Sequence, residues 1–294
     1  MVRDHLDGLS LQKIADKYEI SKTKAYRICH EELEKLPNNN EFTFTYCNRF
    51  SQIFLCDGKY IHVKGYRYKI PLLWGVDYFR HDIPIALLST SENYHSWAKF
   101  FAFFRIINSY PQLIVCDDNI NIKVAARKCF PQVKIQTCVN HYKEHIRREL
   151  NVKADTTYKV FSKKIDSIVS QKLSEEVFNA WMGILFRDYH TDPVCLSVLT
   201  NISRYKNELT SYRGIHQAPL TTNLMECLNS HLQARLASIK CFDSFSHAKL
   251  WLNGYILKRR FTKLVDCSSK FRYLNGKRPI DQTKKLESVL PTLF

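Results

Sequence analysis

The chain has 294 residues, is 45% hydrophobic, and sets 44 Lys and Arg against 28 Asp and Glu for a formal net charge of +16. That length and apolar content can bury a sizeable core, so disorder is not the default and one large domain or two to three smaller ones fit. The charge is too lopsided for ordinary surface solvation and points to a polyanionic partner. With no apolar run of about 18 residues and no charged-then-apolar leader, a soluble, intracellular protein is the expectation: cytoplasmic, or nuclear in a eukaryotic source.

The ten cysteines are scattered through apolar patterns rather than set in a dense framework, which suits a reducing compartment. No C-x-x-C pair occurs, so a zinc ribbon or finger is not supported.

From about Leu6 to Leu36 the pattern predicts two short helices around a tight break, with Ser10 and Ser21 as N-caps and Leu11, Ile14, Ala15, Ala25 and Ile28 facing inward. This is helix-turn-helix spacing, with Lys22, Lys24 and Arg27 facing outward to meet DNA; the bland alternative is a helical hairpin with a solvated basic face. Pro37-Asn38-Asn39-Asn40 reads as a linker and places a domain boundary near residue 38. Phe42 to Tyr46 alternates as a strand does. Further strands are expected over Gln52 to Cys56, Tyr60 to Lys64 and Tyr68 to Tyr78, with Asp57-Gly58 as a hairpin turn, and Ile83 to Leu88 extends the meander.

Trp97, Phe100, Phe101, Phe104 and Ile107 recur at helical spacing, and Leu113 to Cys116 is a short apolar run of the kind a doubly covered strand shows, closed by Asp117. A helix (Ile120 to Cys129), a strand (Val133 to Thr137) and a helix (Val139 to Leu150) follow. No strand pattern recurs between Thr156 and Leu209, which reads as an all-helical insertion. Thr222 then caps a helix on which Asn223 and Glu226 lie one turn apart. Lys258 to Lys285 interleaves basic residues, among them Lys258, Arg259 and Arg260, with Phe261, Phe271 and Tyr273, as a nucleic-acid backbone would require; a solvated end is the alternative.

Three strands, a helix, a fourth strand ending in an acid and a later helix with a third acid is the element order of a ribonuclease H-like fold. In that fold the first and fourth strands are neighbours, so Asp57 and Asp117 would sit side by side with Glu226 presented across them. Three such carboxylates repel one another and need divalent cations, here two Mg²⁺ or Mn²⁺ ions acting on a phosphodiester. Asp118 is the rival to Asp117; Asp117 is preferred because it directly ends the apolar run. Cys138, His141 and His145 share a helical face; buried Cys and hydrogen-bonded His is the simpler reading, because a zinc site lacks a further ligand in the sequence.

These motifs together resemble the Mutator-type (MULE-like) DDE transposases, which include many bacterial insertion-sequence enzymes. The resemblance rests on Asp57-Gly58-Lys59-Tyr60, Val115-Cys116-Asp117, Phe130-Pro131 leading to Cys138-x-x-His141, and Thr222-Asn223-x-x-Glu226, from about residue 50 to 240. It implies Asp57, Asp117 and Glu226 as the catalytic, metal-binding triad, with Cys138, His141 and Asn223 as signature residues beside it. It also implies strand cleavage and strand transfer at the terminal inverted repeats of a mobile element, on double-stranded DNA and as a homo-oligomer. Position 118 is acidic where the family often has a small residue. A transposase-derived DNA-binding protein without cleavage, and a metal-dependent nuclease, are the alternatives. The expected organisation is a DNA-binding region over 1–38, a catalytic core over 39–150 and 216–257, the insertion over 151–215 and a basic tail over 258–294.

Overall fold

The N-terminal helices form where side chains cap them. After α1 (Val2–Leu6) come α2 (Leu11–Lys17) and α3 (Lys22–Glu34), whose first turns are closed by the Ser10 and Ser21 hydroxyls accepting from Lys13 and Lys24 amides. The computed structural model describes the backbone of residues 1–294 and every side chain except that of Ser269. Ile14, Ala15, Ala25 and Cys29 make a small core between α2 and α3.

Phe42 to Tyr46 is not a strand but part of α4 (Asn39–Tyr46), because the Asn38 carboxamide accepts from the amides of Asn40 and Glu41 and starts a helix there. The segment before it is no loose linker either: Asn253 donates to the Pro37 carbonyl at 2.9 Å and accepts from the Asn39 amide at 2.7 Å. Nor is Asp57-Gly58 a hairpin turn. One strand, β1 (Ile53–Ile61), runs straight through it, with Gly58 paired to Leu73, and the chain reverses instead around Gly65 at φ +84°. Asp57 therefore stands within a strand rather than at its end.

With β2 (Ile70–Asp77), β3 (Ile85–Leu88), β4 (Leu113–Cys116) and β5 (Lys134–Thr137), β1 forms a five-stranded sheet in the order β3-β2-β1-β4-β5. The first three strands are antiparallel, while β1, β4 and β5 run parallel. Alternation sends Phe54, Cys56, Ile114 and Cys116 to one face, covered by α5 (Tyr94–Ile106) and α6 (Ile120–Cys129). It sends Ile53, Leu55, Leu113 and Val115 to the other, where α11 (Asn223–Leu236) and α12 (Phe245–Phe261) pack.

Between the faces the chain makes α7 (Val139–Glu149) and then α8 (Lys159–Val169), α9 (Glu175–Tyr189) and α10 (Pro193–Leu209), which share a core with α7 built on Tyr142, Phe161, Leu185 and Leu199. It returns through α11 (Asn223–Leu236) and α12 (Phe245–Phe261).

The C-terminal stretch is not a free tail. A boundary at residue 258 would cut α12, and beyond that helix α13 (Pro279–Thr283) and the chain end fold back so that Ile280, Leu293 and Phe294 pack with Phe42 and Leu257. Lys285 donates to the Phe44 and Thr45 carbonyls at the end of α4, where cations are favoured. Arg260, expected among DNA contacts, is fully buried in an ion pair with Asp82 and also donates to Asn39 and Thr43 at 2.8 and 2.7 Å. A guanidinium so enclosed cannot reach a phosphate; it ties α12, α4 and the β2–β3 connection together.

Candidate active site

The parallel register of β1 and β4 brings the first two acids together. It pairs Ile53 with Leu113, Phe54 with Ile114 and Leu55 with Val115; continued along both chains, it sets Asp57 alongside Asp117. Asp57 shares the alternation of Ile53 and Leu55 and so faces α11, where the Asn229 amide donates to its Oδ2 at 2.6 Å. Trp74 Nε1 in turn donates to Asn229 Oδ1 at 3.2 Å, so a buried indole orients the amide that orients the carboxylate.

Burial pushes the Asp57 carboxyl up to about 6, and the Asp117 charge beside it adds to the shift. Burial likewise raises Asp117, against the pull of a 3.2 Å hydrogen bond from the Asn119 amide. Among the described residues neither is in an ion pair with Lys or Arg. Asp118 differs: it pairs with the buried Lys123, which also holds Glu208 at 2.5 Å.

Glu226 rises from the first turn of α11 toward α7. Its Oε1 accepts from Thr222 Oγ1 at 3.3 Å and lies 3.9 Å from His141 Nε2. His141 is the common neighbour of the acids, since its charge acts on Asp57 and Asp117 as well. A hydrogen bond to Cys138 lifts the imidazole to about 9 despite burial, with help from the Glu226 and Asp117 charges. Burial alone would raise the Cys138 thiol, but hydrogen bonds from His141 and Thr222 outweigh it and lower it. The donor atoms of Cys138, His141 and Glu226 lie within 4.8 Å of one another, a grouping that Asp57, Asp117 and Glu226 do not reach among the described residues. Asn223 accepts from Asn140 at 2.8 Å, linking the starts of α11 and α7; His145 faces Glu149 at 3.9 Å instead.

Two site residues escaped the sequence. Asn229 sits one turn beyond Glu226, a spacing that could have found it. Glu92 lies in the loop before α5, where it accepts from Tyr60 at 2.5 Å, Trp97 at 3.1 Å and Asn119 at 2.8 Å, and its charge raises Asp117. A β-carbon at position 58 would come within 3.0 Å of its Oε2, so glycine is what admits this fourth carboxylate.

The basic residues fall into two places. Lys22, Lys24 and Arg27 are exposed on α3. Lys258 and Arg259 line a cleft of about 830 Å³ between α1, α11, α12 and the segment that follows α12, which also holds Lys172, Arg235 and Lys270. Lys258 is partly neutralised there by Asp7, while Arg259 Nε is buried without a hydrogen-bond partner among the described residues. Leu55 and Asn223, from the elements that carry Asp57 and Glu226, form part of the wall.

Residues 18–252 match the family described as Transposase, Mutator family. The chain belongs to that family. This span holds Asp57, Glu92, Asp117, Asp118, Cys138, His141 and Glu226, and a Mutator-family transposase is a DNA-acting enzyme. No curated protein matches the transposase chain. Among solved structures, the HTLV-2 integrase catalytic core domain in complex with magnesium, in its dimeric form, matches at 18% identity, covering 36% of this chain and 71% of that one with a TM-score of 0.25. Among the described residues no helix is long and apolar enough to cross a membrane.

Proposed function

We propose that this Mutator-family transposase is a DDE enzyme on a ribonuclease H-like core, with Asp57, Asp117 and Glu226 as its acids, and that it cleaves and joins DNA strands at the ends of a mobile element. The observation that carries the reading is the parallel register of β1 and β4, which, continued past Leu55 and Val115, brings Asp57 beside Asp117, both raised by burial and neither in an ion pair with Lys or Arg among the described residues. Such a pair is costly unless a divalent ion relieves it, and an all-oxygen donor set suits Mg²⁺ or Mn²⁺. Asp57, Asp117 and Glu226 would hold the ions, which when bound activate a water or 3′-hydroxyl and neutralise charge on the phosphodiester.

The chain's own residues supply position. Asn229 fixes Asp57, the Asn119 backbone amide fixes Asp117, and Glu226 stands on the first turn of α11, bonded to Thr222. His141, protonated near neutral pH, holds positive charge against the acids until metal enters. The exposed cations of α3 and the basic cleft would hold double-stranded DNA, as terminal repeat and as target, with a homo-oligomer pairing the two ends.

The test incubates labelled duplexes carrying the element's ends with Mg²⁺ or Mn²⁺ and follows nicking and joining by wild type, Asp57→Asn, Asp117→Asn, Asp118→Asn and Glu226→Gln. Loss in the first, second and fourth variants, with Asp118→Asn retaining activity, is expected. Cleavage by Asp117→Asn at the wild-type rate overturns the assignment. Binding without any cleavage by wild type makes the chain a DNA-binding derivative, and cleavage without joining makes it a nuclease.

A further inference from the structure

Cys138 is a buried thiol with an unusual set of neighbours. It is fully shielded from solvent, yet its sulfur accepts from both the Thr222 amide at 3.4 Å and the Thr222 hydroxyl at 3.2 Å. Two donors aimed at one buried sulfur favour its charged form. A zinc site at this cysteine lacked a further ligand in the sequence, and α11 supplies it: Glu226 reaches across to α7 so that a sulfur, an imidazole nitrogen and a carboxylate oxygen stand within 4.8 Å of one another. Ligands around tetrahedral zinc lie about 3.5 Å apart, given metal–ligand lengths near 2.0–2.3 Å. His141 and Glu226, both exposed, can close the remaining gap by side-chain rotation. Burial of the sulfur also denies Cys138 a role as a nucleophile toward a macromolecule.

We propose that Cys138, His141 and Glu226 form a three-ligand Zn²⁺ site with an open fourth position, and that its occupancy withdraws Glu226 from the carboxylate pair. Binding replaces the thiol proton and the imidazolium proton of His141, both of which leave to solvent, with a sulfur–metal and a nitrogen–metal bond. The donor set is borderline-soft, whereas Asp57 and Asp117 offer only oxygen, so the two neighbouring centres select different ions. The second part rests on Glu226 belonging to the acidic centre; the first does not. Zinc would then hold the enzyme off without competing for the Mg²⁺ ligands Asp57 and Asp117.

Cobalt is the probe. Metal-stripped, reduced full-length protein is titrated with Co²⁺ and followed by absorption; a thiolate-to-cobalt band saturating at one equivalent and bleached by Zn²⁺ is expected. The band should vanish in Cys138→Ser, persist in Asp57→Asn and Asp117→Asn, and persist when the exposed Cys227 and Cys241 are replaced by serine. Thr222→Val, which removes a donor to the sulfur, should weaken cobalt binding about tenfold and keeps the test open should Cys138→Ser fail to fold. No band in wild type, or a band that survives Cys138→Ser, overturns the site. Cobalt binding of this kind in a protein that never cuts DNA retains the zinc site and discards the DNA-cutting reading, while Mg²⁺-dependent cutting without the band does the reverse. Cleavage by wild type that is indifferent to one equivalent of Zn²⁺ overturns the withdrawal of Glu226.

Discussion

Asp57 on β1 and Asp117, one residue beyond the neighbouring parallel strand β4, interact: the carboxyl of the first is pushed up to about 6 by burial and by the charge of the second. The sign of the resulting stability change follows directly. A carboxyl whose folded pKa lies above its unfolded value of about 3.9 favours the fold when protonated, and that advantage fades as pH rises through the interval. Metal-free Asp57→Asn should therefore melt a few degrees above wild type at pH 7 and level with it below pH 4. Saturating Mg²⁺ should raise the wild-type melting temperature and not that of the variant. Differential scanning fluorimetry across pH, with and without Mg²⁺, checks both.

Asn229 stands between Asp57 and Trp74, bonded to both. Asn229→Leu removes the 2.6 Å hydrogen bond to the carboxylate and orphans Trp74 Nε1, for about 1–3 kcal/mol of stability. Cleavage should fall by up to about a hundredfold, mainly in kcat, because the acid is no longer held in place. Single-turnover rates beside DNA affinity separate the two effects.

Gly58→Ala would drive a methyl into the Glu92 carboxylate, which three hydrogen bonds hold in place. A loss of about 1–3 kcal/mol is expected. In the Gly58→Ala/Glu92→Ala protein the clash is gone, so the two costs should sum to more than the double variant shows in urea denaturation.

Removing one partner of the buried Arg260–Asp82 pair, as in Arg260→Met, should cost about 3–5 kcal/mol. Under conditions where that variant is folded, DNA affinity should be unchanged. By contrast, each of Lys22→Ala, Lys24→Ala and Arg27→Ala should reduce the salt dependence of DNA binding by about one counterion, read by anisotropy from 50 to 200 mM salt.

The cores of β1 and β4 were legible because a short apolar run closed by Asp is a local pattern. The aromatic stripe of α5 and the first turn of α11 were legible through their period. What failed did so where distant residues decide. Phe42-Thr43-Phe44 alternates like a strand, yet Phe42 and Thr43 are both buried, one against the C-terminal segment and the other bonded to the Pro84 carbonyl. Asp57-Gly58 carries hairpin chemistry, but continuous pairing with β2 outweighs it. Glu92 has no periodic context; only the fold assembles Tyr60, Trp97 and Asn119 around it. The charge of Arg260 gave no sign of its destination, since burial depends on Asp82, far away in sequence.

Gly254 on α12 sets how closely α3 packs. A β-carbon there would lie 2.5 Å from Leu33 Cδ2, so α3 seats directly on the helix that backs the five-stranded sheet. The basic face of α3 is thus fastened to the strand carrying Asp57 at a set distance and angle, like one jaw of a calliper to the other. A DNA end gripped by α3 would be cut at a spacing counted in base pairs by packing rather than by the slack of a linker.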